Sequence, residues 1–261
     1  MATPRALVLR AAGTNCDRET EYALQQAGFE AERVHVFRLM EDPAALKAYQ
    51  FLVIPGGFSY GDDVAAGKIL ANQMLHRLAD ALNEFLADGK LMLGICNGFQ
   101  VMIKSGLLPW GRVDAAVANH DATLAWNDSG KFEDRWVRLR VDSDKCVFLP
   151  PGETLAMPVA HGEGKFVPRD ERVLEALRAS GQVVVRYVDA EGNPGPYPVN
   201  PNGSVDDVAG VCDPTGRVMG LMPHPERFVE ITQHPRWTRE PLSRADGQIL
   251  FDRAFLYLKS A

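Results

Sequence analysis

Lys90-Leu-Met-Leu-Gly-Ile-Cys96-Asn-Gly98-Phe-Gln100 is the stretch that decides how this chain folds. An apolar run ends in Gly-x-Cys-x-Gly, and Phe99-Gln-Val-Met-Ile-Lys104 follows at once with helical spacing. The pattern is a strand, a very tight turn and a helix. Glycines on both sides of Cys96 remove the Cβ atoms that would collide in such a turn. The thiol is left at the helix N-terminus, where backbone N–H groups and the dipole favour a thiolate. The competing account is a buried cysteine at an ordinary strand–helix junction, since free cysteines are commonly small core residues.

Strands and helices alternate on the N-terminal side of this elbow. Arg5-Ala-Leu-Val-Leu-Arg10 reads as a strand, and Asp17 to Ala27 as a helix stopped by Gly28. Val34-His-Val-Phe37 reads as a second strand. Asp42-Pro43 opens a short helix, with Asp as cap and Pro at the first helical position. Phe51-Leu-Val-Ile54 is a third strand, broken by Pro55-Gly-Gly57, and about Val64 to Leu86 is a long helix ending before Gly89. This alternation predicts an α/β fold: an open, mostly parallel sheet with right-handed crossovers and helices on both faces. In such sheets the site lies beyond the carboxyl ends of the strands, where both Cys96 and Pro55-Gly-Gly57 fall.

The C-terminal side changes character. Asp121 to Val141 holds two strand-like runs, including the alternating Trp136-Val-Arg-Leu-Arg-Val141. Leu155 to Ala160 and Val183 to Val188 are further strands, with a helix near Arg172 to Ala179. The expectation is an antiparallel extension of the same sheet, so that residues 1–261 form a single domain. Glu191 to Pro198 is a Pro/Gly-rich loop, Arg217 to Met222 a last strand, and Asp246 to Leu258 a helix with one apolar face.

Bulk composition removes several classes of function. The chain has 261 residues, a net charge of −6 and 46% hydrophobic residues, enough for a substantial core. Mild acidity argues against nonspecific nucleic-acid binding and against an anionic membrane surface. No run approaches the roughly 20 apolar residues of a membrane span, and the Arg5–Arg10 run is too short for a secretory signal. Four scattered cysteines contain no Cys-x-x-Cys pair, so no zinc ribbon or redox motif is indicated and a reducing cytoplasm is expected. Cys16, Cys146 and Cys212 read as inert structural thiols. No phosphate loop of the Gly-x-x-x-x-Gly-Lys-Ser/Thr type occurs, and Asp62-Asp63 reads as a helix-capping pair rather than a metal site.

A nucleophilic thiol needs a base, and the base needs a group to orient it. His224 follows a predicted strand in Met222-Pro-His-Pro-Glu-Arg227, and Glu226 can fold back to hold its imidazole. His161, in His161-Gly-Glu-Gly164, also follows a strand and is the rival base, with glycines that suit a close backbone approach. His35, His76, His120 and His234 lack such a pattern and read as structural or surface residues. Acyl chemistry at a thiolate creates an oxyanion that preorganised N–H groups must meet. The N–H of Asn97 is one natural donor, and the Pro55-Gly56-Gly57-Phe58 turn offers the other, best at Gly57.

Pro55-Gly-Gly-Phe-Ser-Tyr-Gly-Asp62, Gly94-Ile-Cys-Asn-Gly-Phe-Gln100, His161-Gly-Glu-Gly164, Pro201-Asn-Gly-Ser204 and Met222-Pro-His-Pro-Glu-Arg227 occur in that order. Together they resemble class I glutamine amidotransferases, which have a flavodoxin-like fold. More narrowly they resemble the glutaminase subunits of phosphoribosylformylglycinamidine synthase. Asn127-Asp-Ser129-Gly-Lys131-Phe-Glu133 resembles that branch's Asn-x-Ser-x-Arg-Phe-Glu, with Lys in place of Arg, which keeps charge but not the planar fork. The resemblance implies that Cys96 attacks the carboxamide of L-glutamine, with His224 as base and Glu226 as its support. It places Gln100 near the bound glutamine, and adds Phe58 and Ser129 to Gly57 and Asn97 as substrate-site candidates. It implies no metal and no cofactor on this chain. Ammonia would pass to a large ATP- and magnesium-dependent synthetase subunit, with a small third subunit beside it and this chain as a free-standing partner.

Overall fold

Four short strands near the N-terminus and one near the C-terminus lie side by side and parallel, and the functional loops hang from their carboxyl ends. The computed structural model describes residues 2–113 and 121–260. His120 lies outside the described residues. Strands β1 (Arg5–Arg10), β2 (Glu30–His35), β3 (Phe51–Ile54), β4 (Leu91–Ile95), β5 (Ala122–Ala125), β6 (Glu133–Val141), β7 (Thr154–His161), β8 (Lys165–Pro168), β9 (Val183–Val188), β10 (Val208–Cys212) and β11 (Val218–Leu221) follow in chain order. Nine of them form one sheet in the order β2-β1-β3-β4-β11-β10-β9-β6-β7. The β2-β1-β3-β4-β11 segment is parallel. The β10-β9-β6-β7 segment continues it antiparallel.

Composition explains the two halves. Strands β3 and β4 are buried at every residue, as central parallel strands covered on both faces must be. Strand β7 alternates, with Leu155, Met157 and Val159 buried, as an antiparallel strand with one wetter face does. From β1 the chain crosses to β2 on one side, and from β3 it crosses to β4 on the other. Right-handed crossovers therefore put the Asp17–Ala27 helix and the Lys68–Ala87 helical segment on opposite faces. The crevice of this switch lies between the carboxyl ends of β1 and β3, where Thr14 bridges Gly57.

Several boundaries differ from the sequence reading. The second strand is Glu30–His35, and Val36 to Glu41 is helical because the His35 imidazole accepts the Phe37 N–H at that helix's start. Asp42 makes no side-chain cap, although Pro43 does open a 3₁₀ turn. The long helix begins only at Lys68, after Gly67 at φ 73°, and carries one wide π turn at Met74–Leu78 before Ala79–Ala87. Strands β8 and β10 have no counterpart among the sequence expectations. Strand β5 pairs with β8 as a separate two-stranded sheet, not as part of the main extension. Among the described residues no helix is long and apolar enough to cross a membrane.

Candidate active site

Cys96 is held in a strained backbone conformation. It sits at φ 50°, ψ −104° between β4 and the Asn97–Lys104 helix. A non-glycine residue held at positive φ costs on the order of 1–3 kcal/mol and persists only where its surroundings impose it. The flanking glycines show how. A Cβ on Gly98 would lie 1.9 Å from the Ile54 carbonyl oxygen, and one on Gly94 2.3 Å from Met102 Sδ. The helix is closed against β3 at Gly98 and against β4 at Gly94 so tightly that no side chain fits at either position. The Cys96 N–H donates to Leu221 O at 2.8 Å, tying the elbow to the end of β11.

That tie matters because β11 leads directly into the histidine loop. Leu221 is in register with Ile95, so the two strands end side by side. The His224 N–H donates to Pro158 O on β7 at 2.8 Å. A short 3₁₀ turn, Pro225–Arg227, then folds Glu226 back onto the ring, with Nδ1 2.6 Å from Glu226 Oε1. Both side chains are buried. His224 Nε2 is buried with no hydrogen-bond partner, as a base awaiting its reaction partner would be. Burial opposes a charge on this imidazole. The Glu226 carboxylate, the neighbouring Cys96 and the Cys16 thiol outweigh that and hold its pKa well above the ordinary histidine value.

At the two positions expected to offer oxyanion donors, the backbone N–H groups are unused. Among the described residues neither the Gly57 N–H nor the Asn97 N–H has a hydrogen-bond partner, whereas the Phe58 N–H is used by Gly13 O at 3.0 Å. Gly57 takes φ 144°, and a Cβ there would meet Asn15 N and Gly13 O at 2.8 Å. Only glycine lets this turn close on the loop after β1. The Phe58 ring lies at the mouth, half exposed and stacked with Phe132 at 6.4 Å between centroids.

Cys96, Gly57, Phe58, Gln100 and His161 line one cavity of about 320 Å³, with Trp126 and Phe132 at its rim. Gln100 is held on both ends: its Oε1 accepts from Asn97 Nδ2 at 3.0 Å, and its Nε2 donates to Glu163 O at 2.5 Å. It therefore fastens the nucleophile helix to the His161–Gly164 loop. Glu163 reinforces this by accepting from Lys104 Nζ at 3.3 Å. Asp62 accepts from the Gly67 N–H and from Asn97 Nδ2, so it ties the loop before the next helix to the nucleophile helix rather than capping that next helix. Ser129 is not among the cavity-lining side chains. Its hydroxyl donates to Glu133 Oε1 at 3.3 Å and closes its own turn.

Cys16 is the residue that sequence reasoning missed. Its Sγ lies 4.0 Å from His224 Nδ1 and accepts from Arg227 Nη2 at 3.1 Å. Burial raises its pKa despite these neighbours, so it stands beneath the imidazole as a neutral thiol. The signal that could have found it is positional: it follows β1 at the same sheet edge as Cys96. Cys16, His224 and Glu226 are also the one set among the described residues whose ligand atoms lie close enough, within 4.8 Å, to hold a metal. A cation there would displace the 2.6 Å imidazole–carboxylate bond and sit beside the Arg227 guanidinium, so hydrogen bonding accounts for the cluster better.

A thiol elbow, an imidazole–carboxylate pair and two unused N–H groups, on a sheet of this order, fit the class of glutamine amidotransferases. The chain belongs to the CobB/CobQ-like glutamine amidotransferase domain family, whose profile matches residues 3–258. It is 45% identical over 257 residues to the phosphoribosylformylglycinamidine synthase subunit PurQ of Dehalococcoides mccartyi, covering 97% of each chain. It is 41% identical over 250 residues to the protein of the same name from Methanococcus maripaludis, covering 95% of this chain and 91% of that one. A chain in the solved structure of PurLQS from Thermotoga maritima superposes with a TM-score of 0.74 at 35% identity, over 98% of this chain and 100% of that one. A further glutamine amidotransferase of known structure from Thermotoga maritima shares the fold, with a TM-score of 0.53 at 17% identity, over 99% of this chain and 98% of that one.

Proposed function

We propose that Cys96, His224 and Glu226 form the catalytic triad of a glutaminase that serves phosphoribosylformylglycinamidine synthase. The single observation that carries this is the buried, unpartnered His224 Nε2 beside the Cys96 elbow, backed by Glu226 at 2.6 Å. His224 takes the thiol proton, and the thiolate bonds to the side-chain carboxamide carbon of L-glutamine. The carbonyl electron pair moves onto oxygen, where the N–H groups of Gly57 and Asn97 meet it. Collapse of this intermediate breaks the carbon–nitrogen bond while His224 returns its proton to the nitrogen, which leaves as ammonia. A γ-glutamyl thioester remains on Cys96. His224 then takes a proton from water, the resulting hydroxide attacks the thioester carbon, and glutamate leaves as the thiol is restored.

Ammonia is delivered to a large synthetase partner, where ATP and magnesium belong, and a small third subunit completes the assembly. The PurLQS relative supports the association with the other two subunits, as do the PurQ names of the curated relatives. The product is formylglycinamidine ribonucleotide, made from formylglycinamide ribonucleotide in purine biosynthesis. The nine-stranded sheet draws on both ends of the chain, which supports reading residues 1–261 as one domain. A cytoplasmic location follows from this biosynthetic role. The test is Cys96→Ala in the reconstituted complex. Glutamine-dependent synthesis is expected to vanish while synthesis from free ammonia persists. Loss of both would make Cys96 a structural residue.

A further inference from the structure

His161 is buried in the wall of the Cys96 cavity, yet the triad has no use for it. Its ring is held by two independent devices. Asn127 Oδ1 lies 3.0 Å from His161 Nδ1, and a Cβ on Gly164 would fall 2.4 Å from Cε1 and Nδ1 and 2.7 Å from Nε2. Any side chain at Gly164 would overlap the imidazole, so glycine is what lets the backbone lie close against it.

The hydrogen bonds of Asn127 also determine the tautomer. Its Nδ2 donates to Lys131 O and to His161 O, both at 2.8 Å, and its Oδ1 accepts the Gly164 N–H at 3.1 Å. Reversing the amide would set an NH₂ against an N–H donor and an oxygen against two carbonyls, so this orientation is the only satisfiable one. The atom facing His161 Nδ1 is an acceptor, and Nδ1 must carry the proton. Nε2 is then a bare lone pair, and it is buried without any partner. Burial, with His224 nearby, holds the His161 pKa down at about 3, so the ring stays neutral throughout the working range. A buried acceptor left unsatisfied is costly unless something supplies its donor.

We propose that His161 Nε2 is the acceptor that reads the carboxamide NH₂ of glutamine, and so distinguishes glutamine from glutamate at the reacting end. Position favours the carboxamide over the substrate's distant α-ammonium. Ala160, the preceding residue, already touches the nucleophile, with its carbonyl oxygen 3.6 Å from Cys96 Sγ. A carboxamide offers two N–H donors to a lone pair, whereas a γ-carboxylate offers only lone pairs to it. In the tetrahedral intermediate the same bond holds one N–H of the amine and leaves the nitrogen lone pair for the proton on His224. A ring held this weakly basic suits a hydrogen-bond acceptor better than the proton-accepting role that the sequence offers it as a rival to His224.

This inference rests on the glutaminase reading and is tested so that the two fail separately. In the reconstituted complex, kcat/KM is measured for L-glutamine and for the γ-methyl ester of L-glutamate, whose leaving oxygen carries no N–H. His161→Phe is expected to lower the glutamine value about tenfold or more, the effect of losing one buried hydrogen bond, and to change the ester value less than about twofold. His161→Gln, which can offer an amide oxygen near the same place, is expected to recover part of the glutamine value. An equal fall for both substrates, or no fall for glutamine, overturns the proposal. Wild-type complex that fails to hydrolyse glutamine sinks the glutaminase reading instead. If the Phe variant does not fold, nitrogen NMR of the Cys96→Ala chain decides: glutamine binding must shift the bare Nε2 signal, and glutamate must not. An unmoved signal in glutamine-bound protein refutes it.

Discussion

Gly56→Ala is the most incisive perturbation because the side chain it adds points at the catalytic ring. An added Cβ would lie 2.7 Å from His224 Cε1, 3.3 Å from Nδ1 and 3.2 Å from Cys16 Sγ. Gly56 is not among the positive-φ glycines, so alanine meets no backbone penalty there. Ordinary carbon contacts begin near 3.4 Å, so the imidazole must shift by roughly 0.7 Å, which strains its 2.6 Å bond to Glu226. A misplacement of about 1 Å in a catalytic group costs on the order of 100-fold. Glutamine-dependent turnover of the complex is therefore expected to fall by roughly that factor, with ammonia-dependent synthesis unchanged because that chemistry lies on the partner. The assay is glutamate release measured beside ammonia-driven product formation. Full glutaminase activity would show that the ring has room to yield, and loss of the ammonia-driven reaction would show that the fold, not the triad, was damaged.

Two further outcomes concern protons. Glu226→Gln removes the carboxylate that raises the His224 pKa and leaves burial, which opposes it; glutamine turnover is expected to drop by about 10² to 10⁴-fold. A raised histidine pKa stabilises the fold fully below the unfolded value of 6.5 and stops doing so as pH climbs through the folded value. Urea titrations of parent and variant should thus diverge most between about pH 5 and 6.5 and converge in alkali; a gap independent of pH would argue against charge pairing. His161 acts in the opposite sense. Held at about 3, it cannot take the proton that the unfolded chain binds below 6.5, so the fold loses about 2 kcal/mol by pH 5. His161→Gln should abolish that part of the acid loss, and equal pH 7-to-5 losses in both proteins would refute the assignment.

The legible part of the site was the part written in short segments. Gly94 to Gly98 announced a turn that only glycines permit, and the structure shows collisions of 1.9 and 2.3 Å awaiting any Cβ there. His224 and Glu226 are two residues apart, so their bond is a property of a local turn. Gly57 and Asn97 were identifiable because a strand-end turn and a helix start leave N–H groups unused. Strand boundaries were less legible. Val36 could extend a strand as well as open a helix, and the cap on Phe37 settles the matter through the His35 ring. Strand β10, Val208 to Cys212, is a short apolar run whose identity depends on pairing with β9 and β11.

Cys16 and His161 show the limit more sharply. Cys16 reads as an inert thiol and His161 as a rival base after a strand, and each acquires its meaning from atoms far away along the chain. Cys16 sits under His224 because the loops after β1 and β11 meet at one sheet edge. The tautomer of His161 is dictated by Asn127, which lies 34 residues away along the chain. The amino-acid sequence alone determined the candidate nucleophile, its base, the support of that base and the α/β layering, because those depend on glycine sterics, turn geometry and hydrophobic period. Only the tertiary structure decided which lone pairs and N–H groups remain unused around the substrate, since hydrogen-bond satisfaction is a property of the whole packed set and not of any one segment.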